Sequence, residues 1–159
     1  MTHQPRSYPV LLGVTAVGEP VPLELDRSGV GLLVAGDQAP VLAVARSLMV
    51  QLASRSAGPV LLRADGRITV DGVPVVTLVG AAGSDRPPPN GDVPRLTIDD
   101  VPWARLEAEA AVRLRCQLVS RAEFPARLEA ARIRARGVRG RHARADENGG
   151  LFAASALIS

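Results

Sequence analysis

Residues 30–35, Val-Gly-Leu-Leu-Val-Ala, form an uninterrupted apolar run. A strand with one wet face alternates apolar and polar residues, so a run without polar positions belongs to a strand buried on both faces. Gly36-Asp37-Gln38 breaks the run, and the apolar spacing then becomes helical. Over residues 39–54, Val41, Val44, Ala45, Leu48 and Leu52 share one face, while Arg46, Ser47 and Gln51 lie elsewhere. Strand, tight glycine turn and helix in immediate succession point to an α/β fold.

The flanking segments fill in that fold. Residues 9–14 are apolar, 16–19 read as a turn, and Val21, Leu23 and Leu25 alternate, so the chain opens with a hairpin. Val60-Leu61-Leu62 begins another strand. Residues 68–70 can pair with 73–79 across Asp71-Gly72, a favoured two-residue hairpin turn. The stretch 80–94, rich in Pro and Gly, reads as a surface loop. Asp99 or Asp100 as a cap, with Pro102 in the first turn, predicts a helix to about residue 119. Trp103, Leu106, Ala110, Leu114 and Leu118 would form its apolar stripe, and Glu109 with Arg113 an i,i+4 pair. A further helix to about residue 136 follows, with Ser120 and Glu123 fitting a capping box, Pro125 arguing for a later start, and Gly137 and Gly140 ending it. The domain plan is a flexible tail (1–8), one α/β domain (9–136), and an arginine-rich tail with a short apolar C-terminal segment (137–159).

Composition narrows the chemistry. Aromatic residues are 3% of the chain, so the core must be assembled from Val, Leu, Ile and Ala. All 19 basic residues are arginine, in an Ala-, Gly- and Pro-rich background typical of a high-GC bacterial genome. Arg127, Arg132, Arg134, Arg136, Arg139, Arg141 and Arg144 fall within eighteen residues, with His142 among them. That cluster is either a solvated helix face or a contact surface for nucleic acid or an acidic partner. A single cysteine, Cys116, excludes an intrachain disulfide and a cysteine-based zinc site, and points to a reducing cytoplasm. The aspartates sit mostly at turns, so no metal site is expected. No apolar stretch reaches the ~20 residues of a membrane-spanning helix.

Residues 9–55, PVLLGVTAVGEPVPLELDRSGVGLLVAGDQAPVLAVARSLMVQLASR, resemble the front of an FtsK/SpoIIIE-type P-loop ATPase module, including the repeated modules of type VII secretion ATPases such as EccC. Those modules open with a hairpin containing a Gly-Glu turn. A spacer, a buried strand, the phosphate loop and a Leu- and Ala-rich helix follow. More weakly, residues 60–66, 73–79 and 105–136 resemble the next two strands and the arginine-bearing helices of the family. The resemblance implies a P-loop NTPase-like core, partial or degenerate, with an N-terminal hairpin, the strand–turn–helix unit and two C-terminal helices. It also implies ring-forming relatives, a motor subunit as partner, homo-oligomerisation, and a place in the cytoplasm at the edge of a membrane-bound complex.

The departure lies in the loop. A working loop reads G-x-x-x-x-G-K-[ST]: glycines let N–H groups wrap the phosphates, lysine neutralises them, and the hydroxyl holds Mg²⁺. Here Gly36, Asp37, Gln38 and Ala39 stand in the loop, followed by Pro40, Val41, Leu42 and Ala43. Lysine, hydroxyl and second glycine are missing, Pro40 removes a donor and Asp37 adds a negative charge. Leu96-Thr97-Ile98-Asp99-Asp100 looks like a magnesium-holding strand, but the aspartates read better as helix caps. The expectation is therefore a pseudo-ATPase accessory or scaffold protein with no catalytic residues and no required ATP or Mg²⁺. The alternatives are nucleic-acid binding through residues 127–144, or nucleotide binding without hydrolysis.

Overall fold

In a computed structural model of the chain, which describes residues 7–26, 31–56, 58–79 and 93–148, the apolar run becomes β3 (Leu32–Ala35), with all four side chains buried. The helical pattern becomes α1 (Gln38–Arg55). Before them, β1 (Ser7–Val14) and β2 (Pro20–Asp26) make the expected N-terminal hairpin. After them come β4 (Val60–Leu62), β5 (Arg67–Val70) and β6 (Val73–Val79). Asp71 and Gly72 turn β5 into β6 with φ of 53° and 81°, as a two-residue Asp-Gly turn requires. The chain continues as β7 (Arg95–Asp100), β8 (Trp103–Glu107), β9 (Ala111–Cys116) and α2 (Phe124–Asn148).

The nine strands form one mixed sheet in the order β2-β1-β9-β8-β7-β3-β6-β5-β4. β3 lies parallel to β6 on one edge and to β7 on the other, and every other pairing is antiparallel. The sheet curls, bringing β2 back towards β6. α1 packs on β1, β4 and β5, and α2 packs on α1. Ser47, Met49 and Ala53 are buried along with the predicted stripe, so α1 is covered over more than half its circumference. The core is aliphatic, as composition demands: Leu25, Leu32, Val34, Val41, Leu52 and Ile68 are wholly inaccessible. Each such side chain contributes roughly 1.5–3 kcal/mol on burial.

One polar contact joins α1 to the sheet. β1 meets β9 only through Gly13 and Val14, which leaves Leu11 without a strand partner on that side. The Gln51 amide takes its place: Leu11 N–H donates to Oε1 at 2.6 Å, and Nε2 donates to the Leu11 carbonyl at 2.9 Å. The β9–α2 connection is tied to the same helix. Val119 N–H donates to the Ala43 carbonyl at 3.1 Å, and Arg46 donates to the Val119 carbonyl at 3.0 Å.

Three expectations are corrected. The helix expected over residues 99–119 is instead the meander of β7, β8 and β9, so one C-terminal helix follows the sheet rather than two. Pro102 does not open a helix; it sits in the two-residue turn between β7 and β8, after a cis Val101–Pro102 bond. Leu106, Leu114 and Leu118 fit a helical stripe, but Ala110 is exposed at the β8–β9 turn, and Ala104, Leu106, Leu114 and Cys116 are buried with a period of two. Arg113 pairs with Asp99 across the sheet at 3.5 Å rather than with Glu109. Secondly, Ser7 and Tyr8 belong to β1 and Tyr8 is buried, so the last two residues of the predicted tail of 1–8 are part of the sheet. Thirdly, α2 does not stop at Gly137 or Gly140 but continues to Asn148. Glycine ends a helix by taking left-handed φ; Gly137 stays helical, at a cost of about 1 kcal/mol relative to Ala. Most of the loop 80–94 and the apolar segment 151–158 lie outside the described residues.

The expected Ser120–Glu123 capping pair forms in part: the Glu123 carboxylate meets the Ser120 hydroxyl rather than its backbone N–H, and α2 begins at Phe124. Ser120 Oγ accepts from Glu123 N–H at 3.2 Å and donates to Glu123 Oε1 at 2.9 Å, with Pro125 in the first turn of α2.

Gln51→Ala should lower unfolding free energy by about 1–3 kcal/mol, because two backbone groups of Leu11 lose their partner. Urea denaturation with an unchanged m-value checks this; a change within about 0.3 kcal/mol of zero would show that water replaces the amide.

Candidate functional site

The turn between β3 and α1 is the natural candidate. β3 ends at Ala35, Gly36 turns the chain, and Asp37 caps α1 in extended conformation at φ −66° and ψ 152°. The Asp37 carbonyl accepts from Val41 N–H at 3.1 Å, but its carboxylate makes no capping bond. Asp37, Gln38 and Ala39 are exposed, and Pro40, within the first turn, has no N–H to donate. A phosphate here would meet a helix N-terminus worth about 0.3–1 kcal/mol, opposed by the nearby Asp37 carboxylate.

Gly36 has a structural reason to be glycine. Its φ is +143°, which side chains rarely adopt, and a Cβ would lie 2.8 Å from the Ile98 carbonyl oxygen and 3.2 Å from Ile98 Cβ. Close passage beside β7 therefore accounts for Gly36 without any ligand.

The correction to β7 moves Asp99 and Asp100. They end an apolar strand parallel to β3, beside the Gly36 turn, rather than capping a helix. Asp99 Oδ2 lies 3.5 Å from Arg113 Nη1, so its charge is already partnered. Asp100 is exposed and opposite Trp103. Among the described residues, no group of three His, Cys, Asp or Glu side chains is placed to hold a metal ion.

Cys116 is buried at the end of β9. Burial, and then the negative charge of Asp99, push its pKa from 9.0 to about 11. The thiol is neutral at pH 7, the wrong state for a nucleophile.

The arginine cluster divides in two. Arg127, Arg132, Arg134 and Arg136 are exposed on α2; the side chains of Arg139 and Arg141 lie outside the described residues. Arg127 pairs with Glu123 at 2.7 Å and Arg136 with Glu129 at 3.6 Å. Arg132 and Arg136 line a cleft of about 170 Å³ with Ala53, Ser56, Gly58, Val60 and Ala135. The C-terminal end of α1 forms part of this cleft, and its partial negative charge favours cations, so the arginines there suit the helix end better than an added anion.

A second set of arginines escapes the sequence reading. Arg95, Arg105, Arg113 and Arg115 share the outer face of β7, β8 and β9, with Arg105 directly opposite Arg113 and Trp103 opposite Arg115. The signal was present: odd-numbered positions from 103 to 107 and 111 to 115 are mostly polar while even-numbered ones are mostly apolar. A helical reading scatters them around a cylinder.

Gly36→Ala should destabilise the protein by roughly 1–3 kcal/mol in nucleotide-free buffer, because strain and overlap act without a ligand; an unchanged melting curve would contradict this. For Cys116, a folded pKa raised above the unfolded value means full stability below about pH 9 that is lost as pH rises towards 11. Cys116→Ala should flatten that decline in a pH series of urea melts. No protein-family model matches the chain, and neither curated proteins nor solved structures yield a match.

Proposed function

We propose that the protein is a non-catalytic accessory or scaffold subunit related to FtsK/SpoIIIE-type motors, acting through protein–protein contacts. The observation that carries this reading is the Gly36 turn. It has strand, glycine and helix in order, while the lysine, the hydroxyl and the second glycine that would bind phosphate and magnesium are absent. A strand–turn–helix unit can persist for packing after its ligand chemistry has gone.

The surface offers places for such contacts. β4 is a three-residue edge strand with Leu61 and Leu62 exposed at 45% and 41%, and Ile133 stands out from α2 at 57%. Exposed strand edges are ready templates for pairing with another chain. Among the described residues no helix is long and apolar enough to cross a membrane. A motor subunit of the FtsK/EccC type is the proposed partner; self-association into a homo-oligomer is the alternative use of the same edge.

Two measurements test this. Calorimetry with ATP and Mg²⁺ should give no heat, and the melting temperature should not move; a ligand at 100 times its Kd would add about 2.7 kcal/mol of stability. Co-expression with an FtsK/SpoIIIE-type motor of the same genome should yield a complex on gel filtration, weakened about tenfold by Leu61→Asp. Separate elution of the two chains at micromolar concentration would contradict the reading.

A further inference from the structure

We propose that the outer face of β7, β8 and β9 is a binding surface for single-stranded nucleic acid. This surface is distinct from the β4 edge and from α2, and the inference does not depend on the scaffold reading. Arg95, Arg105, Arg113 and Arg115 stand on three adjacent strands, all exposed and all on the face away from the buried Leu96, Ala104, Leu106 and Leu114. Strand geometry spaces them by about 5 Å across the sheet and about 7 Å along a strand, a two-dimensional array of guanidiniums rather than a single row.

Three carboxylates share the face: Glu107, Asp99 and Asp100, the last directly opposite Trp103. Glu107 lies 3.1 Å from Arg105 and Asp99 lies 3.5 Å from Arg113. Both pairs are about half exposed, and such pairs hold weakly, so phosphates can displace them. Arg95 and Arg115 form no ion pair among the described residues. Four positive charges against three negative leave the face cationic by one charge, carried by arginines that no ion pair among the described residues holds.

The choice of single-stranded nucleic acid over an acidic protein segment rests on Trp103. It is half-buried in the array, opposite Arg115, with the Arg113 guanidinium 5.8 Å from its ring centroid. Unpaired bases stack on aromatic rings and on guanidinium planes, and this pair offers both side by side. A glutamate-rich peptide would use the arginines but has no π face to set on the indole. A duplex hides its bases and would gain nothing from Trp103.

Trp103 is the only tryptophan, so its fluorescence reports directly on this face. The full chain should be titrated with a single-stranded oligothymidylate of about 12 nucleotides at low salt. Trp103 emission should be quenched saturably, and affinity should fall with salt. The double variant Arg105→Gln/Arg115→Gln should bind at least tenfold more weakly, with a salt slope reduced by about 0.7 for each phosphate that is no longer neutralised. Arg134→Gln on α2 should bind within twofold of wild type, and melting curves should show both variants folded. Absence of binding at low salt would overturn the proposal. So would binding that leaves Trp103 emission unchanged, binding abolished in Arg134→Gln but kept in the double variant, or equal affinity and quenching with polyglutamate or with duplex DNA.

Discussion

Enclosure of β3 on every side is the constraint on which the remaining structure depends. All four of its residues pair with β6, three of them also pair with β7, and all four side chains are buried. Parallel neighbours cannot be reached through tight turns, so the chain must leave and return. On one side it does so through α1 and the β4–β5–β6 meander. On the other, the segment between β6 and β7 brings the chain back beside Leu33, Val34 and Ala35. The antiparallel strands then extend outwards from this three-stranded centre, and the curl lets one helix cover much of the concave core.

That centre was legible in the sequence because its signals are unambiguous. An apolar run without polar breaks, a glycine and a helical stripe have one joint reading, and the Asp71-Gly72 turn and the Ser120–Glu123 pair are local chemistry that tertiary context left in place. Residues 99–119 read as a helix because Leu106, Leu114 and Leu118 fit a helical stripe while Leu106 and Leu114 also fit an alternating strand. Asp-Asp-x-Pro is a good helix start, yet Val101-Pro102 serves equally in a tight hairpin turn. The deciding positions were Ala104 and Ala110, one buried and one exposed, and alanine declares a preference for neither. Long-range pairing to β3 settled the matter, and no local window contains that information.

The same correction reshapes the candidate site. The resemblance of residues 9–55 assigned Gly36 to a phosphate loop, and the helix read over 99–119 offered no neighbour to explain it otherwise. With β7 beside β3, the glycine is explained by the Ile98 backbone, and Asp99 by Arg113. The residues around the turn thus answer to packing and to a cross-strand ion pair. The arginine charge is divided between two places in the fold. Part of it lies on α2, beside Glu123, Glu129 and the end of α1, and part forms the array on the sheet.

Whether the β3–α1 turn answers to packing or to a ligand is the central question. The most direct measurement is the amide NMR spectrum of the protein during titration with ATP and Mg²⁺, followed at Gly36, Gln38 and Ala39. Packing alone predicts that these signals stay in place up to millimolar nucleotide. Saturable shifts confined to the turn and the first turn of α1 would contradict it, and would show that the helix N-terminus still holds a phosphate without lysine.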